Sequence, residues 1–561
     1  MKNFRKIISL CLVMCMIIAL FASCGTKEKS GTEETDVQTE DTEEIDENVD
    51  EENVATKQKV IGSEVSGAAI ADTVTSVQRS VINYAVVEDP ADFDPFANTQ
   101  TKETLVGFYQ PLAYVIKGEV VGCLMKDYTI SDDGLIMDGE LYDYITDTDG
   151  NNIKASDVVF SWEMGEEITH IGTTGFVDKF EATGDYTFRI TFKQPLAIGQ
   201  MDKLTKWNVV SEKAYSEHDM HTDPVPTGPY KLTKYTSGYL TTYEKRDDYW
   251  QTDTSKLVAR DMANVDVINF YVIPESAQRT IALKNGSIDA SVGITNEDLP
   301  FFDESEDFWL FGVPDDLSLD LIPNCDEGRL TSDVNLRRAI FYAISNEAIL
   351  ESVYGGNGSV NHDLAPNWAV GYNPDWDNET DNYYTYDPEK AKEYLAETSY
   401  NGEELIILVN NSPTLTNAAQ LINALLEQVG IKTKISVTDP AIIKETYADK
   451  TAWDLYITMD ATNTYWIDAI NGFLTKDKTT WEGSGNFWMD PEAQEMINTY
   501  KQVANATPEN FEIMRDYFID NALCKSMVNP LTYVVVPSWT SGVCLSMKKC
   551  FTPGGSTYTE E

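Results

Sequence analysis

The sequence predicts an α/β protein of at least two domains. Three observations carry this. The 561 residues exceed what one hydrophobic core organises. The first part of the folded region reads as many short strands with few helices. From about residue 274 the pattern changes to helix, strand, helix, and an apolar strand, Leu531 to Val536, returns late enough to rejoin the first part.

Taken in order, the chain opens with Lys2, Arg5 and Lys6, then an apolar run from Ile7 to Ala22, short of the roughly 20 residues a spanning helix needs. It ends in Ala22-Ser23 before Cys24, the pattern of a secretory signal peptide. From Glu33 to Glu52 there are twelve acidic residues and no basic ones. Residues 25–77 therefore cannot bury a core and are expected to form a disordered, self-repelling tether. Structure is expected from Ser80. Val81 to Val87 reads as a buried strand, and Glu103 to Tyr109 as a helix start.

Residues 131–162 hold many carboxylates and three Asp-Gly steps. A helix–loop–helix calcium loop with Gly150 at its sixth position would need an oxygen ligand at Ile145 and Glu at Ser156, so calcium is rejected. The residues instead predict a turn at Asp133-Gly134, an extended segment over 135–145, a turn over Asp149–Asn152, and a helix from Asp157 with Ser156 as N-cap. Asp185 to Phe192 alternates as a half-buried strand, Val225 to Leu232 turns into another, and Val265 to Ile273 is an apolar strand stopped by Pro274. Beyond it, Ser276–Lys284 reads as a helix, Ile288–Val292 as a strand, Asn335–Val353 as one amphipathic helix closed by Gly355-Gly356, and Thr416–Val429 as a helix between strands Glu404–Val409 and Lys432–Val437.

Composition excludes several functions. The formal net charge of -50 repels nucleic acid and anionic headgroups. Beyond Cys11, Cys15 and Cys24, five scattered cysteines (Cys123, Cys325, Cys524, Cys544 and Cys550) do not form a disulfide framework, and no C-x-x-C pair suggests zinc. A single Cys544–Cys550 bridge stays open. There is no phosphate-binding loop, no G-x-S-x-G and no H-E-x-x-H, which leaves a surface hydrolase as the weaker rival class. No cofactor is expected. His218 and His221 lie among Asp219 and Asp223, where a solvated loop is favoured over a metal site.

Several segments together resemble one family, the extracytoplasmic solute-binding proteins of ABC importers, in the oligopeptide-, dipeptide- and nickel-binding branch (bacterial solute-binding family 5). These are Asp133-Gly134, Asp149-Gly150, Ala155, Asp157-Val158 and Phe160-Ser161; Thr227-Gly228-Pro229-Tyr230 with Asp248-Tyr249-Trp250; Asn285 to Asp289; Asn324 with Asp333-Val334 and Arg337 to Ile340; Tyr386 to Ala391; and Val429 to Lys432. They run in family order over roughly residues 80–545. The Phe-Ala-Ser-Cys ending likewise resembles the lipoprotein box, with Phe21 where Leu is usual, and implies lipidation of Cys24.

The resemblance implies a two-lobed clamshell with an extra subdomain in the first lobe. Lobe I would be 78–272, with the subdomain over 115–190. Lobe II would be 273–528, and 529–561 would return to lobe I, with crossings near Tyr271–Pro274 and Val528–Val535. It implies capture of a solute, a peptide first and an oligosaccharide or other solute second, by hinge closure. The cargo would pass to an ABC permease and ATPase, from a monomer lipid-anchored on the outer face of the cytoplasmic membrane. The family's ammonium-binding Asp falls on Asn463, an amide, which weakens the reading of a free peptide amine; Asp460 takes that role only if the loop shifts. Tyr465 and Trp466 either stack on ligand or pack in the core. Asp94, Tyr271 and Trp539 are further candidates for the cleft.

Overall fold

The computed structural model describes residues 60–61, 80–97, 105, 108–116, 118–169, 175–205, 207–302, 305–314, 317–378, 383–461, 465–467, 491–541, 545–546, 550–551 and 557–558. The signal segment, Cys24, most of the acidic tether and Asn463 lie outside them, and the expected helix start at Glu103 lies largely outside. Residues 54–561 form one compact unit.

The first lobe begins with β1 (Val60–Ile61), β2 (Val81–Val86) and the hairpin β3 (Ala113–Ile116)–β4 (Glu119–Gly122). A subdomain follows, made of β5 (Met125–Ile130), β6 (Ile136–Leu141), α1 (Ala155–Thr169), β7 (Val177–Ala182) and β8 (Thr187–Phe192). Its strands pair antiparallel in the order β5-β6-β8-β7. In β8 the buried residues are Phe188, Ile190 and Phe192, the alternation that puts one face of a sheet on a core. Phe188 lies so close over Gly139 of β6 that a Cβ there would come within 2.1 Å of its ring, so only glycine fits. The subdomain has its own core around Leu124, Met137, Phe188 and Ile190.

Both turns of the acidic stretch form. Asp133 Oδ1 accepts from Leu135 N at 3.1 Å, with Gly134 at φ +69. Asp147 Oδ1 accepts from the N–H groups of Asp149 (3.0 Å) and Asn151 (2.8 Å). These carboxylates serve backbone donors, as the turn reading requires. The helix starts two residues earlier than expected. α1 begins at Ala155, not Asp157, and its capping group is Asp157 rather than Ser156. Asp157 Oδ2 accepts from Lys154 N at 2.7 Å, while Oδ1 accepts from Glu212 N at 2.9 Å.

The lobe continues through α2 (Gln200–Thr205), α3 (Glu212–Glu217), β9 (Tyr230–Thr236), β10 (Leu240–Lys245), β11 (Val267–Val272), α4 (Ser276–Lys284), β12 (Ala290–Ile294) and β13 (Phe308–Pro314). Here the structure corrects the expected lobe boundary. β11 and β12 both pair parallel to β2, one on each side of it. The helix–strand pattern that starts at Pro274 is therefore the first lobe's own β–α–β crossover, not the start of the second lobe. Residues 273–314 stay in the first-lobe sheet, and the chain leaves it only between Pro314 and Leu317.

The second lobe comprises β14 (Leu317–Pro323), α5 (Val334–Tyr342), α6 (Asn346–Tyr354), β15 (Gly358–Val360), α7 (Pro388–Ala396), β16 (Leu405–Asn410), α8 (Pro413–Gln428), β17 (Thr433–Thr438), α9 (Ile443–Ala448), β18 (Leu455–Ala461), α10 (Pro491–Tyr500) and α11 (Pro508–Asp520). The single helix expected over 335–353 is two. Ala343 ends α5, and the Ser345 hydroxyl accepts from Ala348 N at 3.1 Å, capping α6; Gly355 closes α6 at φ +59. α8 starts three residues earlier than expected, with Pro413 at a position that needs no N–H.

The last long strand, β19 (Lys525–Pro537), belongs to both lobes. Its start pairs with β14 and β15, and Leu531–Pro537 pairs with β13, with β12 joining at Tyr533–Val535. Strand order across the continuous sheet is β17-β16-β18-β14-β19-β12-β2-β11-β10-β9. The second crossing thus lies inside one strand, buried along its length except for the half-buried Leu531 and Thr532.

Candidate functional site

The seam between the lobes is set by the crossing after β13 and by the middle of β19. β14 starts directly after the first crossing, and β18 runs antiparallel beside it, with Leu317 opposite Ala461 and Ser318 opposite Asp460. The C-terminal end of β18 therefore reaches the seam. That end belongs to 453–466, the stretch that the family resemblance singled out for ligand contact. Asp460 lies on the strand, opposite Ser318.

The residues after it are anchored from below. Val370 and Tyr465 form a parallel bridge, and Trp466 N donates to Val370 O at 2.9 Å. Trp466 is fully buried, and its indole N–H donates to Asp363 Oδ1 at 2.8 Å. Asp363 in turn accepts from Arg515 Nε, and both charged groups are at 0% exposure. The Arg515 guanidinium lies 4.9 Å from the centre of the Trp376 ring, itself 5.2 Å from Trp466. Burial pushes the Asp363 carboxyl up, and Arg515 with the Trp466 N–H opposes that. Removing one partner of such a pair costs about 3–5 kcal/mol, because a buried charge is left alone. Of the two roles left open for Trp466, this structure places it in the core, as the peg that fixes the segment after Asn463. Tyr465 is also buried. Asp363 and Arg515 were missed by the sequence reading: they stand 152 positions apart, and neither lies in a motif.

The first-lobe candidates lie on separate elements. Asp94 is 2% exposed; its Oδ1 accepts from Phe96 N at 2.8 Å, and its Oδ2 from the Tyr215 hydroxyl at 2.8 Å. It ties the loop after β2 to α3. Tyr271 stands on β11 with its ring edge-on to Tyr239 at 5.9 Å. Trp539 packs, half-buried, against the first-lobe core. The structure thus puts three candidates on the first lobe and Tyr465 and Trp466 on the second.

One seam contact that the sequence did not reveal joins the lobes: Tyr533 OH donates to Asn357 Oδ1 at 2.8 Å. Beside it, within the second lobe, Asn529 Nδ2 donates to Leu317 O at 2.8 Å and Trp368 Nε1 to Asn529 Oδ1 at 3.2 Å. The two histidines are held by carboxylates. His218 touches Asp149 (2.8 Å) and Asp223 (2.7 Å), and His221 touches Asp92 (2.8 Å). Hydrogen bonds that the rings donate to Asp223 and Asp92 lead the causes that raise their pKa values. Among the described residues, no group of three or more His, Cys, Asp or Glu side chains is arranged to hold a metal ion. Cys123, Cys325 and Cys524 take part in no disulfide; Cys544 lies outside the described residues.

Two lobes joined by paired crossings, with a polar seam and a subdomain on the first, define a solute-binding architecture. The sequence comparisons name the family. Residues 119–483 match the middle region of the bacterial extracellular solute-binding proteins, family 5, and the chain belongs to that family. It is 25% identical over 395 residues to the glutathione-binding protein GsiB of Pectobacterium atrosepticum, covering 68% of this chain and 73% of that one. It is 25% identical over 400 residues to the dipeptide-binding protein of Escherichia coli K12, covering 64% and 72%. The ABC transporter substrate-binding protein CtaP of Listeria monocytogenes shares the fold at a TM-score of 0.72 and 19% identity, over 86% of this chain and all of that one.

Proposed function

We propose that this protein captures a small peptide outside the cytoplasm by closing its two lobes and delivers it, chemically unchanged, to an ABC permease and its ATPase. The observation that supports this reading is the end of β18 at the seam, where Asp460 and Ala461 lie opposite Ser318 and Leu317, with Trp466 a few residues on held by the buried Asp363–Arg515 pair. The names of the similar proteins, glutathione-binding and dipeptide-binding, support a peptide as the ligand. A second reading rests on Asn463. An amide where the family's carboxylate is expected gives an α-ammonium roughly half the stabilisation of a charged partner. That favours ligands with a blocked amine, or an oligosaccharide.

Thermal-shift screening of the purified chain against dipeptide, tripeptide, N-acetylated peptide and oligosaccharide pools tests both. A ligand at a hundred times its Kd stabilises by about 2.7 kcal/mol, a rise of several degrees in Tm. A free-peptide hit supports the first reading, and a shift confined to the blocked or sugar pools supports the second. No shift in any pool, with hydrolysis of a chromogenic glycoside or ester, rejects capture without turnover.

The monomeric protein would be held at the membrane by lipid on Cys24. Cys24→Ser is expected to release it into the medium, and continued retention in the membrane fraction would contradict the anchor.

A further inference from the structure

Segments that take no part in either crossing also join the lobes. After β8, Leu196–Ile198 of the first lobe runs antiparallel to Lys501–Val503 of the second. Ile198 N donates to Lys501 O at 2.7 Å, Val503 N donates to Leu196 O at 3.3 Å, and Ala197 and Gln502 form the bridge between them. The β3–β4 turn meets the second lobe as well. Gly118 has φ +84, and a Cβ there would lie 2.9 Å from Val370 Cγ1. Val115, Val120 and Ile198 pack into the second lobe's apolar core.

We infer that the 196–198/501–503 pairing is a clasp that holds the second lobe against the first and must part whenever the lobes open. Its chemistry suits that task. The Val503 side chain is 60% exposed and Ala197 is small, so the pairing holds through two backbone hydrogen bonds and the packing of Ile198 against the second lobe's core. Each bond is weak enough to break and reform without unfolding either partner. Such a joint biases the unliganded protein toward closure, and a ligand then adds only its own preference for that state. The inference needs two lobes that move but no particular ligand, so its test is independent of peptide binding.

The geometry supplies two probes. The two bonds flank the Ala197–Gln502 pair, which makes it the close, non-hydrogen-bonded type with Cα atoms about 4.5 Å apart, inside the disulfide range. Ala197→Cys/Gln502→Cys should crosslink within the full chain under mild oxidant, while each single variant should not. Val503 opens a single 3-10 turn, and Gln502 before it has φ -65 and ψ 135. That is the conformation a residue preceding proline adopts, so Val503→Pro removes the N–H donor and little else.

Hydrogen exchange read by mass spectrometry is the measurement. In Val503→Pro, with Tm close to wild type, the Ile198 amide should exchange roughly 2- to 12-fold faster, the factor one net hydrogen bond allows. Oxidation of the double variant should slow exchange of the Leu531 amide, which donates to Asn357 O at the second crossing, because locked lobes cannot bend it. A folded double variant that does not crosslink, unchanged Ile198 exchange in Val503→Pro, or identical Leu531 exchange in the oxidised and reduced forms would each overturn the clasp.

Discussion

Lys525 opens β19 with its ammonium in the interior of the second lobe. It is 1% exposed, donates to Tyr384 O at 2.9 Å and lies 5.6 Å from the centre of the Tyr383 ring. Desolvation pulls its pKa down to about 7, with Glu347 opposing. A pKa lowered in the fold gives a definite sign. Below pH 7 both states carry the proton. Between about 7 and 10.5 only the unfolded chain does, so stability rises with pH across that window by up to about 1.4 kcal/mol per unit. Lys525→Met removes this slope, at the cost of leaving the Tyr384 carbonyl without its donor. From pH 7.5 to 9.5 wild type should gain about 2 kcal/mol relative to the variant in urea titrations. Parallel pH profiles for the two proteins would show that the ammonium is not desolvated as the structure implies.

At the scale of elements, what the sequence revealed was local. The turns at Asp133-Gly134 and Asp149–Asn152 were legible because an Asp side chain, here Asp133 and Asp147, serves backbone donors two to four residues away and Gly supplies the positive φ, with no distant partner needed. The break at Ser345 was hidden because α5 and α6 present one continuous apolar stripe, and periodicity alone reads through a capped break. The boundary at 273 failed for a different reason. A change from strand-rich to helix–strand pattern marks a parallel crossover as well as it marks a new lobe, and only the pairing of β12 with β2 separates the two. The site shows the same division. The 453–466 segment could be picked out only through the family resemblance, which sets an ammonium-binding position after such a strand. Its pedestal, Asp363 and Arg515, could not, since a buried ion pair between distant loops and helices leaves no periodic trace.

For the whole molecule, β19 decides how the lobes share their stability. Proteins of this size with two lobes ordinarily unfold in more than one step. Here a single buried strand supplies β-pairing to β14 and β15 in one lobe and to β12 and β13 in the other, and residues from the first lobe's β3–β4 hairpin and from the segment after β8 pack on the second lobe's apolar core. Melting either lobe strips pairing and burial from the other, so neither is expected to survive alone. Differential scanning calorimetry of the full chain should give one endotherm with the calorimetric enthalpy close to the van't Hoff enthalpy, and far-UV dichroism and tryptophan fluorescence should melt together. Two resolved endotherms, or fluorescence that moves before the dichroism, would mean that the halves of β19 release independently and that the lobes are thermodynamically separate despite the shared strand.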